Sequence, residues 1–527
     1  MNANLYGYKD KWILVDFGMT FAGPYYPGVD LIFPDMRFIE DRVKDLLGIV
    51  LTHGHEDHVG ALPYLLEDLN VPLYATAFTA EFIRRKMTDD GPDIPFDLNV
   101  IEPQRDFRLG DFTIRYIPQA HSIPEANSLL IETPAGRIFH TGDWKLDDSP
   151  VVGVANQEKR LRQIGDLGIR ALIGDSTNAL NPNASGYEKD VAKTLEEIIS
   201  SQTGRVLVTT FASNAARLEN TGRIAQKTGR RIVLAGRSME RIISVGRATG
   251  YFKDYPEIVP LDQAKALAPR ETLILATGCQ GEAMAALSRI ASGKHGAIRL
   301  DEGDCVLFSS KAIPGNEMNI GLVQNQLAQR GVVVITEKNA PIHVSGHPGQ
   351  PEMRQMLNWI KPEVVIPVHG EARHMLAHAK LASGEIGCKT LTVQNGQMVR
   401  IAPDPLEIVD EVPCERLILD GDVLIPANAD ALIQRRRLMR NGLLTVTLVL
   451  GKKGLAAEPL ITSHGLPLSD YADEFYEQCI ALCYKAVDKL GVRDKKALKE
   501  EIRIGLRRKV KHETGKRPVT EVQCIIP

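Results

Sequence analysis

The segment His53-Gly54-His55-Glu56-Asp57-His58 brings three imidazoles and a metal-binding carboxylate into one short stretch. Neutral nitrogen and anionic oxygen are the ligands that zinc and similar divalent ions take. Four such groups, placed just after the apolar run 46–51, cannot all converge on one tetrahedral ion that keeps an open position. The spacing points to two neighbouring ions, with His53 and His55 on one and Asp57 and His58 on the other. Two ions roughly 3.5–4 Å apart can clamp a phosphate during in-line displacement. The plain alternative, a polar turn rich in His, weakens as the rest of the chain is read.

Further ligand candidates stand where apolar runs end: His121 in Gln119-Ala120-His121-Ser122, Asp143 in His140-Thr141-Gly142-Asp143, and His369 in Val368-His369-Gly370-Glu371. Functional side chains of α/β folds gather beyond one end of the strands. Singly each reads as well as a turn residue; with 53–58 they complete two metal spheres. His374 and His378 lie one helical turn apart, but they read as ordinary residues of a helix after His369.

The elements that must hold these groups follow from pattern. From 46 to about 178 short strands alternate with turns and a few helices. From about 187 the rhythm becomes regular strand–helix alternation, with continuous apolar runs at 206–210, 231–234, 272–276, 306–309 and 332–336. Such runs suit a parallel sheet covered on both faces. After about residue 343 the first pattern returns. Ligand candidates lie on both sides of the block, so one metal-binding domain interrupted by another is the simplest organisation. The expected boundaries are 1–186 and 346–428 for the metal-binding domain, 187–345 for the insertion, 429–441 for a linker and 442–527 for a C-terminal domain with helices near 469–490 and 495–511. The opening stretch reads as the inside of a β-hairpin whose first strand is absent, with strand 12–17 as its second.

A chain of 527 residues exceeds one hydrophobic core. The net charge of −3 gives no global sign of nucleic-acid binding, so any polyanion site must be a local basic surface. Candidates are Arg435, Arg436, Arg437 and Arg440 at the linker, and the basic helix with Arg503, Arg507, Arg508, Lys509 and Lys511. Seven scattered cysteines without a Cys-x-x-Cys pair fit a reduced, cytoplasmic protein. No apolar stretch approaches the roughly 20 residues needed to span a bilayer, so no membrane contact is expected.

With these motifs the chain resembles the metallo-β-lactamase superfamily, whose HxHxDH segment, later His and later bridging Asp match His53, His55, Asp57, His58, His121 and Asp143. It is similar to the β-CASP nucleases in its inserted block, in Asp175 of Gly174-Asp175-Ser176-Thr177-Asn178, and in two later histidines, His343 or His347 and then His369. The match narrows to the bacterial ribonuclease J family through Phe211-Ala212-Ser213-Asn214, Gly236-Arg237-Ser238-Met239 and the turn from His343 to His347. That family normally has a strand and a Gly-rich turn ahead of the position of Met1.

The resemblance implies an α/β fold: a metallo-β-lactamase αββα sandwich, an inserted β-CASP α/β domain with a parallel sheet, and a small α/β C-terminal domain. It implies two divalent ions, zinc first, with manganese or magnesium as alternatives. His53, His55 and His121 would hold one, Asp57, His58 and His369 the other, with Asp143 between them. Asp57, Asp175 and His347 would serve catalysis, His347 as general acid. His343, Val344, Ser345, Gly346 and His347 would contact the scissile phosphate. Ser213, Asn214, Arg237 and Ser238 would grip a 5′-terminal phosphate, which makes a 5′-to-3′ exoribonuclease with some endonuclease activity in RNA decay and maturation. Gly28, Asp30 and Asp420 or Asp422 are similar to a structural calcium site of some relatives. The resemblance further implies RNA as partner, self-association into a dimer or tetramer through the C-terminal domain, and RNA-decay protein partners. The rivals are another β-CASP endonuclease acting on RNA or DNA, a small-molecule metallo-hydrolase and a non-catalytic RNA-binding scaffold.

Overall fold

Two sheets pack face to face at the centre of the first part of the chain. The computed structural model describes residues 1–23, 25–91, 95–468 and 472–526. One sheet has five strands in the spatial order Asn4–Tyr8, Lys11–Val15, Leu46–Val50, Leu73–Ala75 and Leu98–Val100. The other has seven: Lys389–Thr390, Val364–Val368, Ala171–Asp175, Gly136–His140, Asn127–Thr133, Phe112–Pro118 and Asp106–Leu109. Their facing residues form one apolar cluster, with Ile13, Val15 and Val50 against Ile114, Leu129, Ile131, Ile173 and Ile366. The far face of the larger sheet is covered by Leu161, Ile164, Met353, Met356, Leu357 and Ile360 from helices Glu158–Gly165 and Gln350–Ile360. Helices Leu62–Leu69 and Ala77–Asp90 cover the smaller sheet. These layers make the αββα sandwich expected from the sequence.

The opening stretch holds a strand that its pattern does not announce. Asn4–Tyr8 is itself a strand, paired antiparallel with Lys11–Val15 across a turn in which Lys9 and Asp10 have φ of 48° and 60°. Only Tyr6 of this strand is buried, so its sequence carries little apolar alternation and was easily missed.

The chain leaves the larger sheet at Ala171–Asp175 and returns at Val364–Val368, and these two strands are parallel neighbours with Asp175 opposite Val368. Between them lies a six-stranded parallel sheet in the order Ile258–Val259, Arg231–Ala235, Thr272–Ala276, Val206–Thr209, Cys305–Phe308 and Val333–Thr336. Arg217, fully buried, ties this inserted domain to the turn that follows it. It donates to both carboxylate oxygens of Glu188 (2.6 and 3.0 Å) and to the carbonyls of Ser309 (2.8 Å) and Ile342 (3.0 Å). Truncating one partner of a buried ion pair leaves the other charge uncompensated. Arg217→Ala is therefore expected to cost about 3–5 kcal/mol in denaturant unfolding. An unchanged midpoint would mean that Glu188 finds water instead.

By its internal contacts the chain forms two units, Met1–Thr20 with Phe33–Cys414, and Phe21–Ile32 with Glu415–Pro527. In the second unit strands Leu460–His464, Leu443–Val449 and Val519–Ile525 form a sheet covered by helices Ala472–Leu490 and Lys495–Thr514. Residues 469–471, where the first of these helices was expected to begin, lie outside the described residues. Cys479 and Cys483 are buried in this core as packing residues, and all seven cysteines are free. The stretch 429–441, expected as a linker, carries helix Asp430–Asn441, and its Leu432 packs with Val29, Ile32 and Ile418. Among the described residues no helix is long and apolar enough to cross a membrane.

Candidate metal centre

Every ligand candidate leaves the end of a strand. His53 to His58 follow Leu46–Val50, and Asp143, Asp175 and His369 follow three adjacent parallel strands of the larger sheet. His121 follows Phe112–Pro118. His55 Nδ1 lies 3.1 Å from His53 Nε2 and 3.2 Å from His121 Nε2. Zinc–nitrogen bonds of about 2.05 Å give a tetrahedron an edge of about 3.3 Å, so three nitrogens at this spacing match one face around an ion. Burial pushes all three imidazoles down, His55 to about 4 and the others further, so their lone pairs stay free of protons.

Asp57, His58, Asp143 and His369 form a second group, and Asp143 belongs to both. Its Oδ2 lies 3.6 Å from His53 Nε2 and 3.2 Å from His58 Nε2, while Oδ1 lies 3.0 Å from His369 Nδ1. His369 Nε2 is 3.1 Å from Asp57 Oδ2. Burial opposes the charge on Asp143, but His369, His58 and His347 outweigh it and hold the carboxyl well below the usual range. The same carboxylates overcome burial at His58, raised to about 10, and at His369, raised further. Carboxylate oxygens and imidazole nitrogens at these distances fit divalent ions.

The two groups differ in what binding must displace. His53, His55 and His121 are proton-free, whereas His58 and His369 hold protons that a metal must remove. Metal affinity of the second group is expected to fall as pH falls, because protons then compete for its raised imidazoles. Equilibrium dialysis against zinc should find two ions per chain near about pH 8 and one near about pH 5.5. Loss of both ions in one step would contradict this difference.

Behind the ligands stand residues that the sequence reading missed. Asp16 Oδ2 is 2.7 Å from His58 Nδ1, and its Oδ1 accepts from the Thr52 amide (2.8 Å). His121 Nδ1 donates to the Gly346 carbonyl (2.7 Å), and His53 Nδ1 lies 3.0 Å from Thr52 Oγ1. Each contact leaves the Nε2 atom aimed at the cluster, the usual work of an outer partner. Asp16 and His369 both have positive φ, 64° and 53°, a cost that non-glycine residues bear where a site fixes them. A Cβ on Gly18 would lie 1.7 Å from the Asp57 carbonyl, so glycine there lets the first hairpin reach the ligand loop. The sequence signal for Asp16 was a carboxylate closing an apolar strand.

A third group joins Asp175 and His347 to Asp143 and His369. His347 Nδ1 is 2.8 Å from Asp175 Oδ2, and the two carboxylates Asp175 and Asp143 raise its pKa against burial. Ser345 Oγ accepts from Asn178 Nδ2 (2.7 Å) and from the His347 amide (3.0 Å). A Cβ on Gly346 would lie 2.7 Å from the His121 ring, so only glycine fits. His343 Nδ1 is buried without a partner among the described residues, and burial lowers this imidazole to about 3. Val344 stands in the same turn and packs near Gly186.

Ser213 and Asn214 precede helix Ala215–Thr228, and Arg237 and Ser238 open helix Arg237–Ala248. Both helices leave the same edge of the parallel sheet, the edge at which helix starts in α/β folds can take an anion. Asn214 Oδ1 caps its helix by accepting from the Arg217 amide, and Arg237 and Ser238 are exposed. The Ala216 amide donates to the Ser122 carbonyl (3.1 Å), one residue from His121. His374 and His378 diverge: the first accepts from the Glu371 amide, the second lies 3.0 Å from Ser176 Oγ. The calcium expectation is not supported. Arg435 donates to Asp420 Oδ1 (2.7 Å) and its guanidinium comes within 3.8 Å of a Cβ placed on Gly28, so a side-chain cation already stands there.

The metallo-beta-lactamase superfamily model matches residues 2–180, the model for the beta-CASP domain of ribonuclease J matches 203–327, and the one for its C-terminal domain matches 431–526. Residues 332–393 match the Zn-dependent metallo-hydrolase RNA specificity domain. A ribonuclease J of Sinorhizobium meliloti is 37% identical over 531 residues, covering 99% of this chain and 94% of that one. The chain belongs to the ribonuclease J family. The ribonuclease J of Thermus thermophilus is 33% identical, covering 98% and 91%. A crystal structure of a protein of unknown function from Enterococcus faecalis shares the fold, with a TM-score of 0.50 at 16% identity over 79% of this chain and 96% of that one. As a ribonuclease J the chain is a metal-dependent hydrolase acting on RNA, with the sandwich interrupted by a β-CASP domain.

Proposed function

We propose that the chain is a zinc-dependent 5′-to-3′ exoribonuclease with some endonuclease activity. His53, His55 and His121 would hold one ion, Asp57, His58 and His369 the other, and Asp143 would join them. The observation that supports this division is that Asp143 belongs to both groups, with Oδ2 between His53 (3.6 Å) and His58 (3.2 Å) and Oδ1 beside His369 (3.0 Å). When bound, the ions supply positive charge to the scissile phosphate and a nucleophile at neutral pH.

The chain's own residues do the rest. His347 protonates the departing 3′ oxygen, and Asp175 keeps its Nδ1 engaged so that Nε2 carries the proton outward. Two hydrogen bonds accepted by Ser345 Oγ leave its hydroxyl proton free to donate to a phosphate oxygen. His343 brings an unpartnered nitrogen, and the turn Val344–Gly346 brings backbone N–H groups.

Polarity depends on Ser213, Asn214, Arg237 and Ser238. A pocket sized for one phosphate at two helix starts rejects the added charge and bulk of a 5′ triphosphate. RNA with a 5′ monophosphate is expected to be degraded faster, one nucleotide at a time. Arg237→Ala should erase that preference and spare internal cleavage, read on end-labelled RNA. Equal wild-type rates on both RNAs would move the chain to a purely endonucleolytic role. Self-association through the C-terminal domain goes with exposed Leu460, Ile525 and Ile526 there, and a cytoplasmic setting goes with seven free thiols.

A further inference from the structure

Helix Asp430–Asn441 and its surroundings in the second unit carry a group of cations that the hydrolytic reading leaves unused. Arg435 is neutralised by Asp420, and on the basic helix Lys495–Thr514 Arg503 and Lys509 are neutralised by Glu500 and Glu513. Arg436, Arg437 and Arg440 are not: among the described residues none of the three has a carboxylate partner. With Tyr25, Ile433 and Asn441 they line an open cleft of about 260 Å³. A distant part of the sequence also reaches the end of this helix and brings the Lys516 ammonium to it. Lys516 Nζ donates to the Arg440 carbonyl (2.9 Å), and the Arg517 amide donates to Asn441 Oδ1 (3.2 Å).

A run of charge along one helix is ordinarily a solvated face. Here three separated segments converge, and like charges repel unless something anionic joins them. The cleft also offers a ring: Tyr25 is 62% exposed, and the Arg436 guanidinium stands 4.5 Å from its centroid. Planar guanidinium groups beside an exposed aromatic face hold phosphate and base together, which is how sequence-tolerant sites grip single strands. The cleft is smaller than the ~300–1,000 Å³ of a small-molecule pocket, so it suits one or two units of a polymer and not a whole ligand.

We propose that this cleft is a second RNA-binding site, holding the backbone of single-stranded RNA on the unit that carries none of the metal-cluster residues. It sets affinity for long RNA, not the rate of hydrolysis. Each phosphate contact on a single strand contributes about −0.7 to the slope of log affinity against log salt. The variant Arg436→Gln/Arg437→Gln/Arg440→Gln should therefore lower that slope in magnitude by about 2 and raise KM for an RNA of about 30 nucleotides by roughly tenfold or more. Its kcat, and its hydrolysis of a dinucleotide too short to reach the cleft, should equal wild type. The triple Arg→Lys variant, which keeps the charge, should recover most of the affinity, and thermal melting of both variants should match wild type. An unchanged salt slope, or equal loss on long and short substrates, would overturn the proposal. So would intact RNA binding with altered self-association, which would assign the cations to an interface between copies.

Discussion

Asp143→Ala is expected to strip the chain of bound metal and of RNA cleavage together. The carboxylate touches every part of the cluster, with His53 and His58 on one oxygen and His369 on the other. It is also one of the anions that raise His58, His347 and His369 against burial. Its removal leaves two sets of three ligands with no common member, and two crowded centres of positive charge with nothing between them. Elemental analysis should fall from about two ions per chain to well under one, and hydrolysis should drop to background. A variant that kept about two ions would mean that the groups bind independently, and the assignment of Asp143 as the shared ligand would fail.

His347→Ala should give a different pattern: a rate lower by roughly 10²–10⁴-fold with metal content unchanged. Asp175 holds the ring through Nδ1 at 2.8 Å, and against burial the carboxylates Asp175 and Asp143 favour its protonated form, the form that has a proton to give. His347 Nδ1 is 3.8 Å from Asp143 and faces Asp175 more closely, which argues for a proton donor and against a ligand. A substrate with a leaving group that needs no proton, such as a nitrophenyl ester, should lose far less than RNA does. Loss of metal in this variant would instead make His347 a ligand.

The candidate ligands were legible in the sequence because their chemistry is unusual there. Six positions from His53 to His58 hold too many metal-binding groups for a core, and His121, Asp143 and His369 each close an apolar run. The interrupted sandwich was legible for a related reason, since continuous apolar runs and alternating ones follow different periods. What the sequence withheld depends on contacts between distant segments. Asp16 matters because a hairpin carries it beside His58, and no local pattern announces that pairing. Strand Asn4–Tyr8 was not legible because it buries a single residue, too little for a period-two signal. Nor does any local pattern announce that Arg435, distant in sequence from Gly28 and Asp30, donates to Asp420.

The adjacency of Ala171–Asp175 and Val364–Val368 also bears on how the enzyme is made. The strand that precedes His369 can join the sheet only after the whole inserted domain has left the ribosome, because synthesis proceeds from the N-terminus. Until then Asp175 lies on an unpaired edge, and Asp57 and Asp143 lack one of the imidazoles that complete their group. A nascent chain is thus barred from becoming a nuclease while most of it is still being read from a message, and competence arrives as a late, single event of long-range strand pairing. The insertion acts as a timer: the strand that presents His369 can pair only after the whole inserted domain has been synthesised.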